Sequence, residues 1–379
     1  MSCGLSENTE RTTDNGQLKI ENGKQTKMRI LQLIDSLETG GAERMAVNYA
    51  NALAGQIAFS GLVATRKEGD LKSQLQSGVA YLFLNRKTTF DVRALFRLRR
   101  FVSISRVTIV QAHSSSFLLA VLLKLVYPKI KIVWHDHYGN SEFLDQRKKL
   151  VLQMGSLFFH RIIVVNELLK KWSLAHLFCK EVIYLPNFVF LEDNKDNIHL
   201  KGELGKRILC LANLRPQKNH DMLLEVAKKI KITFPDWTFH LIGKDFKDAY
   251  SKTIHKKIIS DGLQETVFIY GASNAVVSAL QQSTIGVLTS LSEGLPVSLL
   301  EYGYFGLPVV ATAVGEIPKV ITPKNGVLVA SGDVASFAQA LEKLMGTIDF
   351  RKSIGEQLKK DIHLNYTQEP IIKKYLEVL

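Results

Sequence analysis

The chain has 379 residues, 46% hydrophobic and 22% charged, with a formal net charge of +13. That is enough for two or three domains with cores of their own, and the balance excludes a wholly disordered or membrane-spanning chain. The positive excess calls for an anionic partner, and lipid, nucleic acid and phosphorylated small molecules all satisfy it.

Residues 1–26 are rich in Ser, Asn, Thr, Glu, Gly and Gln and poor in large apolar residues, which predicts a disordered leader. They lack the basic, apolar and small-residue order of a signal peptide, so the default expectation is a cytoplasmic chain. Strands are predicted at Arg29 to Ile34, Gly61 to Ala64, Tyr81 to Leu84, Val107 to Gln111, Ile130 to Trp134 and Arg161 to Val165. Helices are predicted after the first strand (Ala42 to Ala54), then at Arg93 to Ser103, Phe117 to Val126, Arg147 to Phe158 and Glu167 to Leu177. Phe117 to Val126 is the longest apolar run, too short to cross a bilayer and interrupted by Lys124. After Val182 to Leu185, Pro186-Asn187 and the polar stretch Glu192 to Lys206 mark a domain boundary. The alternation then restarts, with strands at Arg207 to Ala212, Thr238 to Ile242, Val267 to Tyr270, Thr284 to Thr289, Pro308 to Ala311 and Val327 to Val329. Three helices close the chain, Val334 to Met345 and two more from about Phe350 and Glu369. Such alternation implies two doubly wound parallel sheets, with ligands bound beyond the carboxyl ends of the strands in a cleft between the halves.

Several short stretches could carry chemistry there, and each also has a plain structural reading. Gly40-Gly41-Ala42-Glu43-Arg44 joins the first strand to the first helix; it permits close backbone approach but is not a dinucleotide fingerprint. His113 follows its strand and could bond a substrate or shuttle a proton, or be a satisfied loop histidine. His135 and His137, in Trp-His-Asp-His-Tyr, suggest a structural or acceptor-lining role before a metal one, since no second ligand cluster with local metal spacing accompanies them. Cys3, Cys179 and Cys210 are scattered and odd in number, so reduced thiols are expected. Leu211 to His220 places Asn213, Arg215 and Lys218 on a loop before a helix, where two cations would neutralise a diphosphate or simply form an exposed basic turn. Leu291 to Tyr302 puts Glu293 and Glu301 eight positions apart around Gly294, Leu295 and Pro296 at a helix start. Its free amides attract anions, and its acids could grip a sugar at both ends, unless they are merely solvated. On the surface, Arg93, Arg97, Arg99 and Arg100 interleave with Leu95, Phe96, Leu98 and Phe101, and Arg147, Lys148 and Lys149 precede an apolar helix. Either stretch could lie on an anionic membrane or be an ordinary solvated helix face. Nucleic acid is not an expected partner, because no aromatic platform or recognised module is present.

Taken together, Gly40 to Arg44, His113, Arg215 with Lys218, and the Glu-x7-Glu pair Glu293 and Glu301 resemble the retaining GT-B glycosyltransferases of family 4, over essentially Met28 to Leu379. The resemblance implies two Rossmann-like domains facing each other across a cleft. The first, 27–190, would take the acceptor and the second, 207–355, the nucleotide-sugar donor; 191–206 would link them, and 356–379 would form helices packing back toward the first. It implies that Gly40 and Gly41 lie near the donor phosphates and that His113 contacts the transferred sugar. Arg215 and Lys218 would hold the diphosphate, with Asn213 among the donor contacts. Glu293, with Gly294 and Leu295, would bind sugar hydroxyls, and Glu301 the ribose. No metal and no cofactor beyond the nucleotide-diphosphate sugar is expected. The expected partners are that donor, a glycan or lipid-linked glycan acceptor of cell-surface polysaccharide synthesis, and the inner face of an anionic membrane. The chain departs from the family pattern at Ala212-Asn-Leu-Arg215 and at Val314-Gly-Glu-Ile-Pro-Lys319. A nucleotide-sugar epimerase or a phosphorylase of the same architecture, or a non-catalytic sugar-nucleotide or glycan binder, are the competing readings.

Overall fold

The computed structural model describes residues 26–190 and 196–379. The predicted leader up to residue 25, and residues 191–195 of the predicted linker, lie outside the described residues. Within the described residues, the first half runs β1 (Thr26–Ser36), α1 (Gly41–Leu53), β2 (Ile57–Lys67), β3 (Ala80–Phe83), α2 (Val92–Ile104), β4 (Ile109–His113), α3 (Phe117–Val126), β5 (Lys131–Asp136), α4 (Leu150–Gly155), β6 (Phe159–Val164), α5 (Glu167–His176) and β7 (Val182–Tyr184). The second runs β8 (Arg207–Leu211), α6 (His220–Thr233), β9 (Thr238–Ile242), α7 (Ala249–Ser260), β10 (Val267–Gly271), α8 (Val276–Gln282), β11 (Ile285–Leu288), α9 (Val297–Phe305), β12 (Val309–Thr312), α10 (Ile317–Val320) and β13 (Val327–Val329). Three helices follow: α11 (Val334–Gly346), α12 (Ile348–Asn365) and α13 (Gln368–Glu377).

The strands form two parallel sheets, ordered β3-β2-β1-β4-β5-β6-β7 and β10-β9-β8-β11-β12-β13. Both are wound alike, outward from a first strand in one direction and then in the other. The chain direction therefore reverses beside β1 and beside β8, and loops leaving the two neighbouring strands diverge to open a crevice. Near-continuous apolar strands such as Ile285–Leu288, buried at every position, reflect helices on both faces.

Period-two alternation sorts β1 between two cores. Leu31 and Leu33 join Val110, Trp134 and Ile162 beneath α2, α3 and α5. Ile30 faces the other way and packs with Met45 and Tyr49 of α1 and with Ile371, Ile372 and Tyr375 of α13. Helix α13 thus crosses back from the second half to complete the core of the first, and Val297 at the start of α9 joins the same cluster. Each buried Ile there contributes about 1.5–3 kcal/mol.

Element ends move by a few residues from their predicted positions, and two of the shifts matter. Strand β4 runs on to His113, two residues past the predicted end, so the imidazole belongs to the sheet rather than to a loop. Helix α4 starts at Leu150, not Arg147. Arg147 sits in extended backbone and turns inward, its guanidinium forking onto both oxygens of Asp136 at 2.7 and 2.8 Å and stacking over Tyr138 and Trp172. It is nine-tenths buried, so it is no part of a basic surface as the sequence suggested.

Candidate active site

The carboxyl ends of the two sheets face each other across a cleft built mainly from βα turns. Residues 39–42 and Arg44 line it from the first half, with His137, Gly139, Val165 and Asn187. From the second half come residues 211–213, Arg215, Gln217, Lys218, residues 293–298 and Glu301. Gly40, Gly41, Asn213, Arg215, Lys218, Glu293, Gly294, Leu295 and Glu301 therefore meet in one place.

Local chemistry fixes each group. Pro216–Lys218 form a single 3-10 turn ended by Asn219 in the left-handed region, φ 52°, whose side chain caps α6 by accepting from the Met222 amide. The Thr289 hydroxyl donates to the carbonyls of Lys218 and Asn219 and pins this turn to the end of β11. Lys218 Nζ consequently lies 2.5 Å from Glu293 Oε1, which also accepts from Ser290 Oγ at 2.6 Å. Arg215 packs its guanidinium 3.9 Å from the centre of the Phe246 ring, on the cleft wall. Helix α9 opens at Val297, with Pro296 as the residue just outside it, and directs its free amides into the cleft.

Glu301 is one turn further along α9 and 5% exposed. Arg44 approaches from the opposite wall, Nε 3.6 Å from Oε1, yet among the described residues Oε1 has no hydrogen-bond partner. Burial pushes the Glu301 carboxyl up, and Arg44 opposes that in part. A buried acceptor beside a cation and short of donors is a site for ligand hydroxyls.

Gly294 also has a packing part beside its place in the cleft lining. A Cβ there would meet Cγ2 of Val165 at 2.9 Å, so this glycine lets the two halves approach each other. Several bonds cross at the same rim. Asn213 donates to the Thr39 carbonyl, Asn187 to the Leu295 carbonyl, and Gln217 to the Gly139 carbonyl, while also bonding the Ser292 carbonyl of its own half. Glu142 accepts from the Gly315 amide at 2.5 Å and from the Ser292 hydroxyl. Glu316, in the departing loop Val314 to Lys319, accepts from the Glu167 amide at 3.1 Å and pairs with Lys319 at 2.7 Å.

Two models of known families match the chain: "Glycosyltransferase Family 4" over residues 39–193 and "Glycosyl transferases group 1" over residues 192–361. The chain belongs to the family 4 glycosyltransferases of the GT-B fold. An uncharacterized glycosyltransferase of Haemophilus influenzae is 23% identical over 90% of this chain and 96% of its own. The amylovoran biosynthesis glycosyltransferase AmsD of Erwinia amylovora is 23% identical over 93% and 99%. The UDP-Gal:alpha-D-GlcNAc-diphosphoundecaprenol alpha-1,3-galactosyltransferase of Escherichia coli is 26% identical over 84% and 87%. Among solved structures, TarM superposes with a TM-score of 0.75 at 14% identity, over 93% of this chain and 99% of its own. Anabaena HepE, in complex with UDP-glucose, gives 0.76 at 16%, over 93% and 100%.

One predicted site residue of this glycosyltransferase does not reach the cleft. His113 is fully buried; its Nε2 lies 2.8 Å from Gln32 Oε1 and its Nδ1 3.0 Å from His137 Nε2. The reason is register: His113 pairs with His135 across β4 and β5, and His137 is the ring that lies on the cleft wall. Burial keeps His113, His135 and His137 in the neutral form. Sequence reasoning also passed over Arg44 as a site residue, along with Glu142, Gln217 and Glu316. Arg44, Gln217 and Glu316 stood inside stretches that the sequence singles out, Gly40 to Arg44, Leu211 to His220 and Val314 to Lys319; Glu142 had no local pattern to mark it.

Proposed function

We infer that the chain transfers a hexosyl unit from a nucleoside-diphosphate sugar to a hydroxyl of a glycan or lipid-linked glycan, retaining the anomeric configuration and needing no metal at the diphosphate. One observation carries the donor assignment: Glu301 lines the cleft with a buried carboxylate oxygen that has no hydrogen-bond partner among the described residues, and the amino end of α9 and two cations, Arg215 and Lys218, line the same cleft. In this reading Glu301 accepts from the ribose hydroxyls. Arg215, Lys218 and the α9 amides hold the diphosphate, close to Gly40 and Gly41, while Asn213 braces the turn. Glu293 takes sugar hydroxyls with the backbone of Gly294 and Leu295, and His137, not His113, meets the transferred sugar or the acceptor. Two cations and a helix start supply the charge that leaving diphosphate requires, which supports metal-independent transfer.

The acceptor oxygen attacks the anomeric carbon on the face from which the diphosphate leaves. The bond from that carbon to the β-phosphate oxygen breaks, and the acceptor proton passes to a phosphate oxygen. Lys218 and Ser290 both bond Oε1 of Glu293 and fix its carboxylate, in keeping with a hydroxyl-binding role rather than that of a covalent nucleophile, which supports this route over a glycosyl-enzyme. Closure of the two halves excludes water from the cleft.

The donor belongs to the second half, residues 207–355, and the acceptor to the first, residues 27–190. Relatives named for amylovoran biosynthesis and for transfer to a diphosphoundecaprenol-linked sugar support a role in cell-surface polysaccharide assembly. Among the described residues no helix is long and apolar enough to cross a membrane. Helix α4 and the turn after it instead expose Leu150, Val151, Met154 and Leu157 next to Lys148 and Lys149, a face suited to peripheral contact with an anionic bilayer. The decisive experiment is a panel of nucleotide sugars scored for released nucleoside diphosphate with and without acceptor lipid. Acceptor-dependent release that Lys218→Ala abolishes supports the reading; product formed from donor alone would identify an epimerase instead.

A further inference from the structure

We propose that His113, His135 and His137 hold a divalent transition-metal ion, zinc by the chemistry of their donors, behind the cleft wall of the first half. Strand geometry brings the three rings together. His113 and His135 are register partners on adjacent parallel strands, and His137 is two residues past His135, on the same face. One nitrogen from each ring lies within 4.8 Å of the others. His113 Nδ1 and His137 Nε2 are 3.0 Å apart; two zinc–nitrogen bonds at a tetrahedral centre place their nitrogens about 3.3 Å apart, a small adjustment.

The surroundings have the form of an outer shell. Imidazole ligands of a metal are oriented by a partner on the other ring nitrogen. Gln32 Oε1 sits 2.8 Å from His113 Nε2, and the Gln111 amide 2.9 Å from His135 Nδ1. Tyr375 of α13 holds the other end of the Gln111 amide. Turning that amide over, which exchanges its oxygen and nitrogen, lets it accept from His135 Nδ1–H and frees Nε2 as a ligand.

Unused bonding capacity concentrates at this spot. His135 Nε2, Tyr49 Oη and Gln32 Nε2 are all buried and have no hydrogen-bond partner among the described residues. Tyr49 meets the His135 ring edge-on and lies tilted against Tyr375. A buried group of this kind calls for a water or an ion. Three neutral imidazoles with no carboxylate favour zinc, and suit nickel, copper or cobalt before magnesium or calcium, which take oxygen ligands. Three protein nitrogens leave one position for water. The ion would clip β4 to β5 and fix the ring of His137 from behind, apart from the cations proposed to hold the diphosphate.

The test needs no substrate, so its result is independent of the transferase reading. The full chain, purified without a polyhistidine tag or chelator, is analysed for metals by inductively coupled plasma mass spectrometry. About one zinc per chain is expected, falling at least ~10-fold in His135→Ala and His137→Ala. Because a variant could fail to fold, wild-type chain stripped by a chelator is also titrated with Co²⁺ and followed by visible absorption. A tetrahedral ligand-field band that zinc displaces supports the site. A folded wild-type chain that arrives without metal, and shows neither that band nor a rise in Tm with zinc, overturns it and leaves ordered water as the occupant.

Discussion

Arg44 and Glu301 face each other across the cleft, Nε to Oε1 at 3.6 Å, one from each half of the chain. Neither group is solvated well enough to be indifferent to losing the other, with side chains only 12% and 6% exposed. Arg44→Ala leaves a buried carboxylate that burial already pushes toward the neutral form, so donor KM should rise about 10-fold while kcat changes less. Glu301→Ala should raise it further. Steady-state kinetics against donor checks both; an unchanged donor KM in a well-folded Glu301→Ala chain would remove the ribose assignment.

Gly294 and Val165 are matched in size across the closed interface. Gly294→Ala introduces a contact at 2.9 Å, tight enough to hold the halves apart. It should lower turnover while leaving the melting of each half nearly unchanged. Val165→Ala on top of it should restore most of the loss, and a double-mutant cycle with no coupling would show the interface to be irrelevant to turnover.

Arg147 and Asp136 form a buried, bidentate pair. Arg147→Met strands the Asp136 carboxylate beneath α5 and should cost about 3–5 kcal/mol, measured by urea unfolding. Substituting both residues with apolar ones should recover part of that.

Acid should weaken the fold before the carboxylates titrate. Burial holds His220 near pKa 4 and His240 near 3, against an ordinary 6.5. The unfolded chain therefore binds more protons as pH falls below 6.5. Stability is full above that value and is lost toward pH 4, by about 3 kcal/mol for His220 alone. Glu43 and Glu301, raised above 4.5 by burial, work in the opposite direction and offset part of the loss. Urea midpoints at pH 7, 6 and 5 should fall in that order, and His220→Gln should flatten the slope.

Sedimentation with anionic liposomes should pull the chain down at low salt and less at high salt. Leu150→Ser with Met154→Ser should reduce binding at both. Binding at neither salt concentration would rule out the proposed bilayer contact.

The fold was readable because strand and helix periods differ, and because both halves repeat the same alternation. That the residues singled out in the second half meet on one cleft wall was readable for a related reason. Arg215, Lys218 and Glu293 lie in βα turns, and Glu301 one turn into the helix that follows, where parallel topology gathers them at one end of a sheet. What escaped depended on register and on contacts between distant segments. Strand β4 runs on to a buried His113, whereas His137, just past the end of β5, lines the cleft. Arg147 looked like a surface cation, because Asp136 precedes it by eleven residues with no helical period to relate them. Glu142 gave no sign of reaching Gly315, which lies 173 positions further along.

The return of α13 has a consequence for how the protein is made. The core around Ile30, Tyr49 and Val133 is complete only when Ile371, Ile372 and Tyr375 arrive, long after β7 has left the ribosome. During synthesis the first half must wait with an open apolar trough, while the second half forms its own sheet. Ribosome-bound chains ending between β13 and α13 should therefore be the protease-sensitive and chaperone-dependent ones, and release of the final helix should end that exposure.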